Sequence, residues 1–91
     1  MTDRPAFVYL LRCRDGSLYC GWTYDVARRV AAHGRGKASK YTSGRRPVEI
    51  AAVFELPDAS AARREEARIK ALSRVEKLAL IRAEGRPMRP V

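Results

Sequence analysis

Runs of apolar residues at three places along the chain have the length and composition of β-strands. Ala6 to Arg12 (AFVYLLR) is almost wholly apolar, and a second, shorter run extends from Ser17 to Gly21. Val48 to Leu56 (VEIAAVFEL) is the third. Short runs rich in β-branched and aromatic residues and bounded by turn-forming residues are typical of strands. The pattern therefore predicts three short strands.

The first two strands are predicted to form a hairpin, because an Arg-Asp-Gly turn signal at positions 14–16 separates them. A three-residue loop, with Gly16 in the left-handed conformation, would pair Leu11 with Tyr19. Tyr9 and Tyr19 would then project from the same face of the sheet, since side chains alternate along a strand. A two-residue Asp-Gly turn would put them on opposite faces. The sequence leaves both registers open.

Helical spacing begins after the hairpin. Asp25 is a predicted N-cap, apolar positions recur at intervals of three and four residues from Val26, and Gly34 is predicted to end this helix. A second helix is predicted from Asp58 to about Leu72. A third opens at positions 73–76, where Ser-Arg-Val-Glu has the capping-box form, and ends before Gly85.

The predicted order of elements is β-β-α-β-α-α, which indicates an α+β fold: a small, mainly antiparallel three-stranded sheet with helices packed on it. A chain of 91 residues suits one domain with a single core. We expect residues 1–5 to be an N-terminal extension, residues 6–84 to be the domain, and residues 85–91 to be a short tail.

The charge of the chain is strongly positive and unevenly distributed. Nineteen Lys and Arg residues against ten Asp and Glu residues give a net charge of +9. Residues 1–46 carry ten basic and three acidic side chains, whereas residues 47–91 carry nine and seven. Such an excess attracts polyanions, of which nucleic-acid backbones are the commonest. The alternative is a solvated basic surface without a ligand.

We favour nucleic acid as the partner, because the positive charge is local; within that class we expect DNA rather than RNA. No acidic residue occurs from Val26 to Val48, and this segment also contains an aromatic residue and hydroxyls, which stack on bases and bind phosphates. The side chains predicted to contact nucleic acid are Arg28, Arg35, Lys37, Lys40, Tyr41, Arg45 and Arg46.

Other features of the sequence narrow the class of protein. No apolar run approaches the roughly 20 residues of a membrane span, and the N-terminus does not resemble a secretory signal. Cys13 and Cys20 have neither the spacing of a zinc site nor the number of a disulfide scaffold. We therefore expect a cytoplasmic protein with two reduced, structural thiols.

A pair of adjacent carboxylates in the second predicted helix is a candidate metal site. Glu65 and Glu66 border the apolar stripe formed by Ala62, Ile69 and Leu72. A carboxylate at the edge of a buried face needs a partner, because an unpaired buried charge is costly. A salt bridge to a nearby arginine is the simpler interpretation. A hard divalent cation is the functional one, since Mg²⁺ takes one or two carboxylates and keeps several waters.

Four further side chains are candidates for chemistry, although each also has a simpler interpretation. Tyr9 and Tyr19 are, by position alone, core or boundary aromatics of a hairpin. Arg29 and His33 share a helix face because they are four residues apart. His33 near a helix C-terminus could merely complement the helix dipole, and Arg29 could be a solvated cation.

Considered together, these residues resemble the signature of the GIY-YIG nuclease superfamily. Phe7-Val8-Tyr9 and Tyr19-Cys20-Gly21 occupy the places of its two motifs, followed by Arg29 ten residues after the second tyrosine and by His33 four residues later. The metal-binding glutamate of the family lies four residues before the lysine of an Ile-Lys pair, which here selects Glu66 rather than Glu65. The resemblance extends from about Phe7 to Ile81. It is closest to the compact stand-alone bacterial members, which share the hairpin at 12–19, the Lys-Tyr-Thr loop at 40–42 and the Leu-Ser-Arg junction at 72–74.

The resemblance implies an endonuclease that hydrolyses phosphodiester bonds with one divalent metal ion, Mg²⁺ or Mn²⁺, held by Glu66. It implies that Arg29 binds phosphate oxygens and that Tyr9, Tyr19 and His33 orient or deprotonate the attacking water. These five side chains are expected to converge on one concave, electropositive patch. The general base, the strandedness of the substrate and the oligomeric state are not indicated.

Three departures from the family pattern accompany the resemblance. Phe7 replaces the glycine of the first motif, Cys20 replaces the isoleucine of the second, and the chain contains no asparagine, a residue used late in many members. Two other functions therefore stay open: a non-catalytic nucleic-acid-binding module on the same fold, and a basic interaction protein with an acidic partner. The complete set of reactive side chains favours the nuclease, because binding would require only the basic loop that is predicted from Arg35 to Pro47.

Overall fold

The computed structural model describes residues 4–84, which form one antiparallel sheet and four helices. The strands are β1 (Ala6–Cys13), β2 (Leu18–Thr23) and β3 (Val48–Leu56), arranged in the order β2-β1-β3. The helices are α1 (Val26–Gly34), α2 (Lys40–Ser43), α3 (Ala59–Lys70) and α4 (Arg74–Glu84). The predicted α+β fold is confirmed, and α2 is an additional short helix within the predicted basic loop. The predicted tail and the stop at Gly85 lie outside the described residues.

The hairpin between β1 and β2 adopts the three-residue loop. Leu11 pairs with Tyr19, the Cys13 N–H donates to the Ser17 carbonyl at 2.9 Å, and Gly16 has φ 85°. A residue with a β-carbon is strained at that φ, so glycine suits the loop. Tyr9 and Tyr19 consequently project from the same face of the sheet, which decides between the two registers left open by the sequence.

The sheet buries a different set of side chains on each face. On one face, Val8, Leu10 and Cys20 pack with Ala62 and Ile69 of α3, so the predicted apolar stripe of that helix is confirmed. On the other face Tyr9 and Leu11 are both fully buried, and Tyr9 is covered by His33 of α1, which in turn contacts Thr42 of α2. Because β1 is the central strand, side chains of the two faces can approach each other around the outer edge of β2 or β3, or past the ends of the strands.

The first helix begins and ends as predicted. The Asp25 carboxylate accepts the Arg28 N–H at 3.0 Å, which confirms the N-cap, and Gly34 is the last helical residue. Gly34 is not, however, the left-handed residue of the closure, which is Gly36, with φ 75°. The Gly36 and Lys37 N–H groups bond back to carbonyls of the last turn at 3.0 and 2.9 Å. This closure requires its left-handed residue beyond the cap, and glycine adopts it without strain.

The last two helices are capped as the sequence predicts. The Asp58 carboxylate accepts the Ala61 N–H at 2.8 Å, and α3 ends at Lys70, two residues earlier than predicted. At the start of α4, Ser73 Oγ accepts the Glu76 N–H at 3.1 Å and Glu76 Oε1 accepts the Ser73 N–H at 2.8 Å. These reciprocal bonds are the predicted capping box.

Both cysteines are buried and free, as expected for structural thiols. Burial raises the pKa of Cys20 to about 11, and the nearby Glu66 charge adds to the rise, so this thiol stays protonated at neutral pH. None of the helices between residues 4 and 84 combines the length and the apolar character that crossing a membrane requires.

Candidate active site

Tyr9 lies at the centre of the sheet, directly opposite Gly21 of β2. The Tyr9 side chain is fully buried, and its phenol lies over the glycine. A β-carbon at position 21 would be 2.6 Å from the Tyr9 hydroxyl oxygen and 2.8 Å from the ring carbon that bears it. Such contacts are too close for any larger residue, so Gly21 makes room for the Tyr9 hydroxyl. The sequence shows Gly21 as part of a motif, but the role of this glycine follows only from the position of the Tyr9 ring.

The Tyr9 hydroxyl belongs to a chain of buried hydrogen bonds through His33. His33 Nε2 lies 2.9 Å from the Tyr9 hydroxyl, and His33 Nδ1 lies 2.7 Å from Thr42 Oγ1. We assign the proton of the neutral imidazole to Nδ1, because the Thr42 hydroxyl can then accept from His33 Nδ1–H and donate its own proton to the Ser39 carbonyl, 3.4 Å away. His33 Nε2 is then the acceptor for the Tyr9 hydroxyl. Tyr9, His33 and Thr42 are all fully buried.

Burial determines the protonation of both Tyr9 and His33. Burial lowers the pKa of His33 from 6.5, and the charge of Arg29 lowers it further. Burial raises the pKa of Tyr9 to about 12, with a contribution from Tyr19, while hydrogen bonding and charge from Arg29 act in the opposite direction. At neutral pH the phenol is therefore protonated and the imidazole neutral. A neutral His33 does not supply the positive charge with which a histidine would complement the helix dipole.

Tyr19 forms the outer layer of this aromatic cluster. Its ring centroid lies 6.4 Å from that of Tyr9, 5.1 Å from His33 and 5.7 Å from Tyr41 of α2. Tyr19 is partly exposed, whereas Tyr9 and His33 are not exposed at all. Of the two tyrosines identified from the sequence, only Tyr19 can therefore contact a bound substrate directly.

Arg29 connects the buried cluster with the surface. It lies one helical turn before His33 on α1, and its charge acts on the pKa of both Tyr9 and His33. Its side chain is exposed and also lines a cleft of about 490 Å³. An exposed guanidinium can donate to two oxygens of one phosphate. Tyr9, Tyr19, Arg29 and His33 thus lie together, as expected.

Glu66 lies on the helix that packs against the other face of the sheet. Its charge acts on Cys20 of β2, and its carboxylate is 3.3 Å from the Lys70 ammonium. Glu65 pairs with Arg68. Both carboxylates therefore form salt bridges, Glu65 with an arginine as predicted and Glu66 with a lysine instead. The helix that carries Glu66 contacts the edge strand β2, and no contact described within residues 4–84 joins Glu66 to the tyrosines, so its convergence with them stays a prediction.

The surroundings of Glu66 fit a cation held by a single carboxylate. Between residues 4 and 84 there is no group of three or more His, Cys, Asp and Glu side chains arranged to bind a metal. Mg²⁺ does not require one, because it is often bound through one or two carboxylates and several waters. The ion pair with Lys70 competes only weakly with a metal ion for the Glu66 carboxylate. The Lys70 side chain is 54% exposed, and surface ion pairs contribute little to stability.

The cations predicted to bind nucleic acid form two groups. The first group is exposed and has no ion pair within residues 4–84: Arg28, Arg35, Lys37 and Lys40. Lys37 and Lys40 also line a cleft of about 280 Å³ that contains the Ser39 and Ser43 side chains. This first group is available to a phosphate backbone.

The second group, Arg45 and Arg46, stabilises the loop itself. Arg45 donates to Asp15 at 3.0 Å and to the Tyr41 carbonyl at 2.9 Å, and its guanidinium lies 3.9 Å from the centroid of the Tyr41 ring. Arg46 donates to the Ser43 carbonyl at 3.0 Å and to the Gly34 carbonyl at 3.4 Å. Both arginines keep further N–H donors, so their contact with nucleic acid stays a prediction. We expect them to contribute less to the affinity than the first group does.

Several known proteins are similar to this chain. The model of the GIY-YIG catalytic domain family matches residues 5–79. A UPF0213 protein of Oceanobacillus iheyensis is 49% identical over 79 residues, which cover 87% of this chain and 92% of the relative. One of Halobacterium salinarum is 49% identical over 73 residues, which cover 80% and 95%. The solution NMR structure of a UPF0213 protein from Bacillus halodurans has a TM-score of 0.60 and 43% identity, over 91% of this chain and 88% of that one.

Proposed function

The chain belongs to the GIY-YIG catalytic domain family, and from this premise we propose that it is an endonuclease that hydrolyses phosphodiester bonds in DNA with one divalent metal ion. The observation that carries the proposal is the buried hydrogen-bonded chain from Tyr9 through His33 to Thr42, directly behind the accessible Tyr19. Holding a phosphate backbone needs only exposed cations. A neutral histidine that is oriented by two buried hydroxyls does not contribute to phosphate binding. It can, however, hold the side chains of a reactive site in a fixed geometry. The proposal includes a cytoplasmic location.

Arg29 and the exposed cations would bind the substrate. Arg29 would donate to the oxygens of the scissile phosphate, since its guanidinium is exposed beside the aromatic cluster. Lys37 and Lys40 would contact neighbouring phosphates of the same strand. Contacts of this kind orient the backbone without reading its sequence, so we expect little sequence specificity.

Tyr19 would orient the attacking water. In hydrolysis the water oxygen forms a bond to phosphorus, the bond to the leaving oxygen breaks, and a water proton is finally transferred to that oxygen. We assign the contact with water to Tyr19, because Tyr9 and His33 are fully buried. Tyr9 and His33 are positioning residues in this scheme, since their rings pack against the Tyr19 ring.

Glu66 would hold the divalent cation at the outer edge of β2. The support for this assignment is the position of Glu66 beside the edge strand and its weak ion pair. A bound Mg²⁺ or Mn²⁺ supplies Lewis-acid stabilisation of the negative charge that develops on the phosphoryl and leaving oxygens. Since the edge of β2 is reachable from both faces of the sheet, a phosphate there can meet Tyr19 from one side and Glu66 from the other.

Cleavage assays on Glu66→Ala test the proposal, with Glu65→Ala as the matched control. The two carboxylates are adjacent, each pairs with a basic side chain on α3, and both substitutions remove one negative charge. End-labelled single-stranded, duplex and branched DNA and RNA would be incubated with Mg²⁺, Mn²⁺ or EDTA. We expect metal-dependent cleavage by the wild type and by Glu65→Ala. Glu66→Ala should lose about 100-fold or more in rate, because a bound metal contributes several kcal/mol to such reactions.

Two results would contradict parts of this proposal. Equal losses in the two variants would show that Glu66 has no special role and that charge on α3 accounts for the effect. Binding of every substrate by the wild type, without cleavage in either metal, would make the chain a non-catalytic nucleic-acid-binding module on the same fold.

A further inference from the structure

A second site adjoins the proposed active site, in the cleft of about 490 Å³ between the end of β2 and the start of α1. We call it the aromatic cleft; it is lined by Arg4, Trp22, Thr23, Tyr24, Asp25, Arg28 and Arg29. It combines two neighbouring aromatic rings with three arginines. We propose that the aromatic cleft binds one unpaired nucleobase of the substrate, and this inference rests on the proposed function.

The aromatic side chains of the cleft are held in place and remain accessible. Tyr24 is 39% exposed, and its ring lies 5.3 Å from Trp22 in an edge contact at 85°. Trp22 packs against the core on its inner side. Between them, Thr23 is buried, and its hydroxyl accepts the Asp25 N–H at 3.1 Å. The backbone that carries both rings is therefore fixed, so the binding of a ligand costs little conformational entropy.

Arg4 occupies the position that a planar ligand would take. Its guanidinium lies over the Tyr24 ring, 3.9 Å from the centroid. A guanidinium and a nucleobase are both planar groups that stack on aromatic faces, and the stack of a base on an aromatic ring is the stronger contact at an exposed site. A base can thus replace Arg4 against Tyr24, and the displaced guanidinium can bind a phosphate of the same strand.

The charges of the cleft favour a nucleotide over an uncharged aromatic ligand. Three arginines face one carboxylate, and that carboxylate, Asp25, already accepts the Arg28 N–H as the cap of α1. The remaining positive charge matches the phosphates on either side of a base. Conversely, a cleft that bound phosphate alone would have no use for two accessible aromatic rings.

Arg29 connects the aromatic cleft with the proposed reaction. This single side chain lines the cleft and also acts on Tyr9 and His33. A base in the cleft therefore belongs to a nucleotide beside the phosphate that Arg29 holds. A base that is paired and stacked within a duplex cannot reach Tyr24. The nucleotide next to the cleaved bond is accordingly unpaired, in a single strand or at a frayed or branched end.

The only tryptophan of the chain, Trp22, reports on this cleft by its fluorescence. In EDTA, where no cleavage is expected, a single-stranded oligonucleotide would be titrated, together with a set in which one base at a time is replaced by an abasic site. The strand is kept as short as binding allows, so that the protein cannot shift along it to avoid the abasic position. We expect quenching of Trp22 by the intact strand, and binding about 10-fold weaker when the base of the cleft is missing, as expected for the loss of one base–aromatic stack. A fully paired duplex should not quench.

Variants of Tyr24 assign the effect to the cleft. Tyr24→Ala should bind the intact strand about 10-fold more weakly and should no longer distinguish the abasic strand, whereas Tyr24→Phe, which keeps the ring, should distinguish it as the wild type does. Thermal unfolding of each variant checks that it is folded. Arg4→Ala, in which the ring is uncovered, should still show the abasic penalty.

The outcomes separate this inference from the proposed function. An affinity that is the same for intact and abasic strands, with metal-dependent cleavage preserved, overturns the base site and leaves the nuclease standing. An abasic penalty that depends on Tyr24, without cleavage in any metal, supports the base site and contradicts the nuclease. Failure of every oligonucleotide to bind contradicts both.

Discussion

Single residues at the candidate site combine structural and chemical roles. Tyr9 contributes a fully buried aromatic ring to the sheet and a hydroxyl to the hydrogen-bonded chain through His33. Gly21 contributes only the absence of a side chain, and that absence makes room for the Tyr9 hydroxyl. Thr42 orients the imidazole from its other nitrogen. Each of these roles depends on a partner in another element of the fold. A substitution at one residue should therefore change the hydrogen bonding or protonation of its partner.

Removal of the Thr42 hydroxyl should change the tautomer of His33. Thr42→Val preserves the shape but leaves His33 Nδ1–H without an acceptor, so the proton should move towards Nε2. The stability should fall by about 1–3 kcal/mol, as expected for a buried polar group without a partner. Nitrogen NMR measures the tautomer without ambiguity, because His33 is the only histidine of the chain.

Thr42→Ser is the matched control, because it keeps a hydroxyl at the same position. The serine variant and the wild type should both show a neutral imidazole protonated on Nδ1. A wild-type spectrum with the proton on Nε2 would reverse the direction of the hydrogen bond between Tyr9 and His33 and would refute the assignment.

The helices of this chain differ in what holds them in place. The α3 helix packs on the sheet through Ala62 and Ile69, so its stability is part of the core. The four-residue α2 is too short to persist alone, because a helix needs several turns to offset the cost of nucleation. It is held by its cap, by the buried Thr42 hydroxyl and by Arg45 stacked on Tyr41. Its position against Tyr19 therefore depends on a few local contacts.

Loss of an N-cap should increase local unfolding at α2, whereas at α3 it should lower the stability of the whole domain. Ser39 caps α2 and Asp58 caps α3, each by accepting a backbone N–H of the first turn. Either substitution by alanine should cost about 1 kcal/mol. Asp58→Ala should lower the free energy of global unfolding by that amount. Ser39→Ala should instead increase amide hydrogen exchange in α2 about 5-fold, with little change in global stability.

Chemical denaturation and hydrogen exchange on the two variants measure these effects. An equal loss of global stability in both would show that α2 unfolds together with the core, contrary to the expectation.

At the scale of the whole molecule, the sheet separates two sets of groups that the proposed reaction would bring together. The aromatic cluster and the basic loop lie on one face, and α3 with Glu66 lies on the other. The outer edge of β2 is where the two can meet. The net charge is uneven along the chain as well, because residues 1–46, which include the whole aromatic cluster, carry most of the net charge of +9.

Burial of Tyr9 should make the stability of the domain depend on alkaline pH. The pKa of Tyr9 is 10.0 in the unfolded chain and about 12 in the folded protein. The folded protein keeps this proton where the unfolded chain releases it, so the free energy of unfolding should decrease as the pH rises from the lower value towards the higher one. The decrease should be roughly 2–3 kcal/mol.

Urea denaturation of the wild type and Tyr9→Phe at several alkaline pH values measures this contribution. The variant should be less stable near pH 8, where it lacks the hydrogen bond to His33, and the gap should narrow as the pH rises. Parallel curves for the two proteins would show that ionisation of Tyr9 is not coupled to folding.

The sequence by itself determined the local features of this protein. The bounds of β3, the caps at Asp25 and Asp58 and the capping box at Ser73 depend on residues only a few positions apart, so their patterns could be recognised directly. The spacing of the tyrosines, Arg29, His33 and Glu66 was sufficient for the family. The register of the hairpin was not determined, because the turn residues are compatible with two loop lengths.

The tertiary structure decided which side chains meet and in what protonation state. The bond between His33 and Thr42 joins two helices, and the pairing of Arg45 with Asp15 joins residues 30 positions apart. No local pattern encodes such contacts, because they depend on how the elements pack. Burial, which protonates Tyr9 and neutralises His33, is likewise a property of the assembled fold. The aromatic cleft also exists only because the end of β2, the start of α1 and the N-terminal segment come together in space.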